Sequence, residues 1–167
     1  MSCTGIRLHI AFFNLERRGS PAFAGIAFEA GLLQTGNVIA VLGLAALLGG
    51  MLFFGAIMAP LVFTKLPSDI AGPFIRAAFP RYYAFVTVSA MVAALGLLLR
   101  GQGFSAIALA LVAAVTVWAW FWLIPHLNAL RETGNMIGFN RGHRLSVWLN
   151  GVELITGLVV LVRLALR

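Results

Sequence analysis

The chain has 167 residues, of which 61% are aliphatic, aromatic or Cys and only 10% are charged. A soluble domain carries about a quarter of its residues charged, so a water-soluble globular fold is excluded. The net charge of +7 comes almost wholly from arginines at the ends of apolar segments, Lys65 being the sole lysine. That pattern points to lipid headgroups as the partner of the charge and away from nucleic acid. Cys3 is the single cysteine, which leaves no disulfide framework and no Cys-based metal site.

Residues 1–36 read as a leader distinct from a membrane domain over 37–167. The segment is too broken to span and lacks a signal-peptide cleavage context. It is expected either to lie on the membrane or to be an over-extended start. The first span is expected over about 38–63. At 1.5 Å per residue it is about 39 Å long, more than a hydrocarbon core, so it tilts or projects. Pro60 lies where the chain leaves the membrane. The connection "SDIAGPFIRAAFPRYY" reads as a short helix lying in the interface, with Pro73 in its first turn and Pro80 ending it. The second span is expected over 82–99. Arg100-Gly101-Gln102-Gly103 then makes a tight turn, so the second and third spans are antiparallel neighbours. The third covers about 104–124. "PHLNALRETGNMIGFNRGHR" reads as a second interfacial segment, stopped at Gly134, and the fourth span covers 145–166. Backbone groups in lipid must be satisfied within each segment. The expected fold is therefore all-α, an integral membrane bundle of four transmembrane helices with two short interfacial amphipathic segments. The halves echo each other weakly, with Phe79 and Arg81 in one matched by Phe139 and Arg141 in the other. Parallel repeats of this kind occur in transporters.

Arg81, Tyr82, Tyr83, Trp118, Trp120, Trp122 and Arg144 read as anchors in the membrane interface, the aromatics forming a belt on one face. Gly36, Gly43 and Gly50 recur at seven, Ala46 with Gly50 makes a small-xxx-small pair, and Ser89, Ala93 and Gly96 share a face. With Gly55 and Gly157 these are expected helix-packing positions. Lys and Arg divide six against six between the two sides of the membrane. Without the leader the count is three against six, which places the long connections in the cytoplasm.

His143, Ser146, Asn150, Glu153 and Gly157 fall at steps of three and four, one face of a helix. Glu153 lies about 12 Å below the surface by residue rise. Counting to the same depth elsewhere brings Gly55, Ser89 or Ala90, and Thr116 to its level. An ionisable side chain facing lipid is costly, so the stripe faces the bundle interior. No cation stands at that depth, and Glu153 is expected to carry its proton. Two readings stay open. The stripe is hydrogen-bonded packing glue, or it is a proton or cation site in a polar cavity. Haem ligation is disfavoured because only His143 begins an inward face, and no cofactor or metal is expected. No Ser-His-Asp arrangement or carboxylate pair supports an enzyme.

"LGGMLFFGAIMAPLVFTKLP", "FIRAAFPRYYAF" and "FNRGHRLSVWLNGVELITGLVVL" together resemble the four-helix membrane family called domain of unknown function 4149. Its eukaryotic relatives are called transmembrane-protein-205-like. The resemblance covers about residues 38–165 and is most specific at Gly49-Gly50, Pro60, Leu66-Pro67, Phe79 to Tyr82, and His143 with Ser146 and Asn150. It implies a four-helix membrane protein with no assigned reaction, and a shared site centred on His143, Ser146 and Asn150. Glu153 and the leader depart from the family pattern. Three functions follow as expectations. The first is a non-catalytic protein that packs with itself or with a membrane partner subunit. The second is a small transporter or channel component using the stripe. The weakest is a membrane enzyme or haem protein. The expected location is a bacterial inner membrane.

Overall fold

The computed structural model describes residues 21–166, with side chains from residue 24 onward. The expectation for residues 1–20 lies outside that range. All the regular structure described is helical, and four helices are long and apolar enough to cross a membrane: Ala24–Lys65, Ser68–Leu99, Gly103–Glu132 and Met136–Ala165.

The helices are longer than expected, and the two interfacial segments are not separate elements. The first helix runs from Pro21 through a π-helical turn, Phe53–Met58, into Ala59–Lys65. The stretch 21–36 is therefore helical and continuous with the first span. Gly25 and Gly31 are each isolated among apolar helix formers, Gly36 is packed against the second helix, and a lone Gly costs only about 1 kcal/mol. Leu66 and Pro67 alone link the first helix to the second, which begins at Ser68. Asp69 suits its first turn. The helix continues through Pro73 and Pro80, so Pro80 does not end it. Proline removes one backbone hydrogen bond. Ending the helix in the membrane would strand several more. Beside Pro80, Arg81 Nη1 donates to the Ala77 carbonyl at 2.9 Å. The third helix likewise carries its "interfacial" stretch as a continuation, through a π-helical turn, Ala119–Leu123, into Ile124–Glu132. Each π turn lies just before a proline, Pro60 or Pro125. The proline has no N–H for the carbonyl four residues back, and a wider turn accommodates the mismatch.

Two turns match their sequence signals. Gly101 takes φ +70° and Gly134 φ +73°, the left-handed conformation that closes a helix C-terminus. Asn135 Oδ1 then accepts from Gly138 N at 3.0 Å and caps the fourth helix.

The second helix lies between the first and third, and the fourth spans the cleft between first and third. The first pair is held by small residues. A methyl group on Gly43 would meet the Ala93 backbone at 2.5 Å, and one on Gly36 would meet the Gly96 carbonyl at 2.8 Å. Gly96 abuts the Ala40 backbone, and Gly50 sits beneath the Phe85 ring. Ala46 is half-buried along the same helix. Arg100 reaches back to hydrogen-bond Asn37 and ties the ends of this pair together. Gly157 packs on Leu48, bringing the fourth helix to the first. The fourth helix is the least buried of the four.

Candidate functional site

Because the second helix starts at Ser68, Tyr82 is about 21 Å along it at 1.5 Å per residue, well inside the bundle. Tyr82 and Tyr83, expected as anchors in the interface, both make contacts inside the bundle. Tyr83 is 1% exposed and packs with Ala119, Leu123 and Leu127. Tyr82 is half-buried, and its hydroxyl donates to Asn150 Oδ1 of the fourth helix at 2.8 Å. Phe54 stacks on Tyr82 with ring centroids 4.2 Å apart, and Phe79 stacks on Tyr83 at 5.8 Å. Asn150 Nδ2 donates to the Ser146 carbonyl at 3.0 Å, and Ser146 Oγ donates to the His143 carbonyl at 2.8 Å. The stripe is thus bonded along its own helix and across to Tyr82.

These groups line a cavity of about 540 Å³ between the first, second and fourth helices. Tyr82, Asn150, Ser146 and His143 supply its polar side, and Phe54, Phe63 and Leu154 are among its apolar walls. Gly55 and Gly151 hold the space open, since a methyl group on either would find nothing within 4 Å. Gly55 is therefore not a packing residue as its sequence context led us to expect. Leu52, Phe63 and Val147 line the cavity and are exposed on the outside of the bundle. The opening is thus lateral, between exposed apolar side chains of the first and fourth helices.

Glu153 lies apart from the cavity lining, 5% exposed, against the third helix. Thr116, wholly buried, is 3.0 Å from Glu153 Oε1 and 2.9 Å from the Val112 carbonyl. A threonine has one proton to give. Both contacts become hydrogen bonds when Glu153 carries a proton and donates it to Thr116 Oγ1. Ser89 is buried at this depth but makes no hydrogen bond with the pair among the described residues. Thr87 Oγ1 is buried without a partner among the described residues.

The remaining expected interface residues divide. Trp118 and Trp122 are exposed and stacked at 5.3 Å, with His126 stacked on Trp122 at 5.5 Å. Trp120 turns inward and joins the cluster around Tyr83. Arg81 and Arg144 are exposed. Two site residues escaped the sequence reading. Tyr82 was misplaced because the helix over Ser68 onward was expected to end at Pro80, whereas it runs on into the second span. Gly151 carried no signal. Among the described residues no group of three or more His, Cys, Asp or Glu could hold a metal ion.

No curated protein and no solved structure matches this chain. A sequence model of the family described as "Domain of unknown function (DUF4149)" matches residues 42–136, which covers most of the first helix and the whole of the second and third. The fourth helix, with His143, Asn150 and Glu153, lies outside the match. The matched stretch is more than half of the chain, and the protein belongs to the DUF4149 family.

Proposed function

We propose that the protein is a non-catalytic membrane component, a carrier or part of one, that takes an amphipathic small molecule from the lipid into the cavity between its first, second and fourth helices. The observation that carries this reading is the cavity itself. It has apolar walls and a few converging polar groups, the usual make-up of a ligand pocket. It is kept open by Gly55 and Gly151. Tyr82 and Asn150 offer a hydroxyl and an amide to the head of such a molecule, while its apolar body leaves lipid for an apolar wall. The alternative role, packing against another subunit, draws less support. The small-residue faces that favoured it, Gly36, Gly43, Gly50, Gly96 and Gly157, are occupied by contacts within the chain.

The test is photolabelling of the protein in phosphatidylcholine vesicles with a diazirine-bearing fatty alcohol. Labelling is expected to map to cavity residues and to fall strongly in Gly151→Leu, which fills the space without a clash. Trp148→Leu, a change on the exposed face, serves as control. Equal labelling of Gly151→Leu and the control would count against a bound ligand.

A second reading is favoured by the Glu153–Thr116 pair. A buried carboxyl hydrogen-bonded across helices is the type of group that relays protons in transporters. Proton-dependent flux in vesicles that is lost in Glu153→Gln supports it, and flux that survives the change rules it out.

A further inference from the structure

Arg76 of the second helix and Arg131 of the third converge on Gly72. A methyl group there would lie 3.6 Å from Arg131 Nη2 and 3.9 Å from Arg76 Nη1. Two like charges repel, and no carboxylate among the described residues lies with them beside Gly72. The surroundings are basic as well. This end of the bundle carries Lys65, Arg76, Arg131, Arg141 and Arg144 against Asp69 and Glu132. Arg131 is held in place by Phe139 of the fourth helix, whose ring centre is 5.7 Å from the guanidinium carbon. Two planar, permanently charged forks from the second and third helices thus meet at one point near the end of the bundle, one of them resting on the fourth.

We propose that Arg76 and Arg131 form a binding site for a phosphate group, and that the phosphate belongs to an anionic phospholipid headgroup. Guanidinium forks match phosphate oxygens in bidentate geometry, and the two forks are close enough for the oxygens of one phosphate to bridge them. The site is at the end of the helices, where headgroups lie. It stands on the two arginines and does not depend on what fills the cavity.

The test is native mass spectrometry of the purified full chain after exchange into mixed micelles of phosphatidylglycerol and phosphatidylcholine. Wild type is expected to retain phosphatidylglycerol preferentially. Arg76→Gln with Arg131→Gln is expected to lower that retention about tenfold or more. Arg141→Gln with Arg144→Gln removes the same charge from the same face and is expected to change it less than about threefold. Arg76→Lys with Arg131→Lys keeps the charge but loses the fork, and an intermediate retention is expected. Equal loss in the two Gln pairs, or no preference for phosphatidylglycerol in wild type, overturns the proposal. Competition by millimolar inorganic phosphate would reassign the site to free phosphate and overturn the lipid source. If Gly151→Leu retains phosphatidylglycerol normally, the headgroup site and the cavity are separate, so either can fail without the other.

Discussion

Tyr82 and Asn150, 68 residues apart in sequence, meet through a 2.8 Å hydrogen bond that joins the second helix to the fourth. This bond matters because the fourth helix has the smallest buried share of the four. Tyr82→Phe removes the donor and leaves the amide oxygen unpaired. The expected cost is about 1 kcal/mol, the range for polar contacts between membrane helices. A double-mutant cycle with Asn150→Leu in detergent unfolding measures it. Strictly additive effects would mean that the bond contributes nothing.

Gly43 and Gly49 should respond oppositely to alanine. A methyl group at Gly43 meets the Ala93 backbone, which cannot move aside, whereas one at Gly49 finds open space. Gly43→Ala is expected to lose about 1–3 kcal/mol through overpacking. Gly49→Ala is expected to be neutral or to gain up to about 1 kcal/mol of helix propensity. Thermal unfolding of both variants decides, and a stable Gly43→Ala would contradict the close approach.

Glu153→Gln is expected to unfold within about 0.5 kcal/mol of wild type, because the amide preserves the shape and the bond to Thr116. Glu153→Ala leaves a hole beside Thr116, whose hydroxyl keeps only its bond to the Val112 carbonyl, and is expected to cost about 2 kcal/mol or more. If the two variants unfold alike, Thr116 is not Glu153's partner.

Gly134→Ala places a side chain at φ +73° between the third and fourth helices. The expected cost is about 1–2 kcal/mol. Gly103→Ala, also beside a turn but without positive φ or a close neighbour, is expected to be nearly silent. Denaturant midpoints of the two variants give the comparison.

The heptad of glycines on the first helix was legible because close helix approach in lipid depends on small residues, and all three positions do meet the second helix. Depth brought Thr116 to the level of Glu153 along with Gly55 and Ser89 or Ala90, and only Thr116 hydrogen-bonds it. The helix ends were not. Pro73 read as the first turn of a short helix, and Pro80 and Pro125 as boundaries, by the rules for water, where freed backbone groups are solvated. In these helices the chain continues through them. That error moved Tyr82 and Tyr83 from the bundle interior to its surface and hid the Tyr82–Asn150 contact. The cavity was out of reach for another reason. Gly50 under a phenyl ring and Gly55 beside empty space are the same letter on the same helix, and only the packed neighbours distinguish them.

The sideways opening of the cavity makes the bilayer a reservoir. On the carrier reading proposed above, a molecule bound there first dissolves in the membrane, so its supply is set by its partition coefficient and not by its aqueous concentration. Occupancy should scale with moles of compound per mole of lipid. Diluting the protein into more lipid at fixed total compound would empty the site, although nothing in the water had changed.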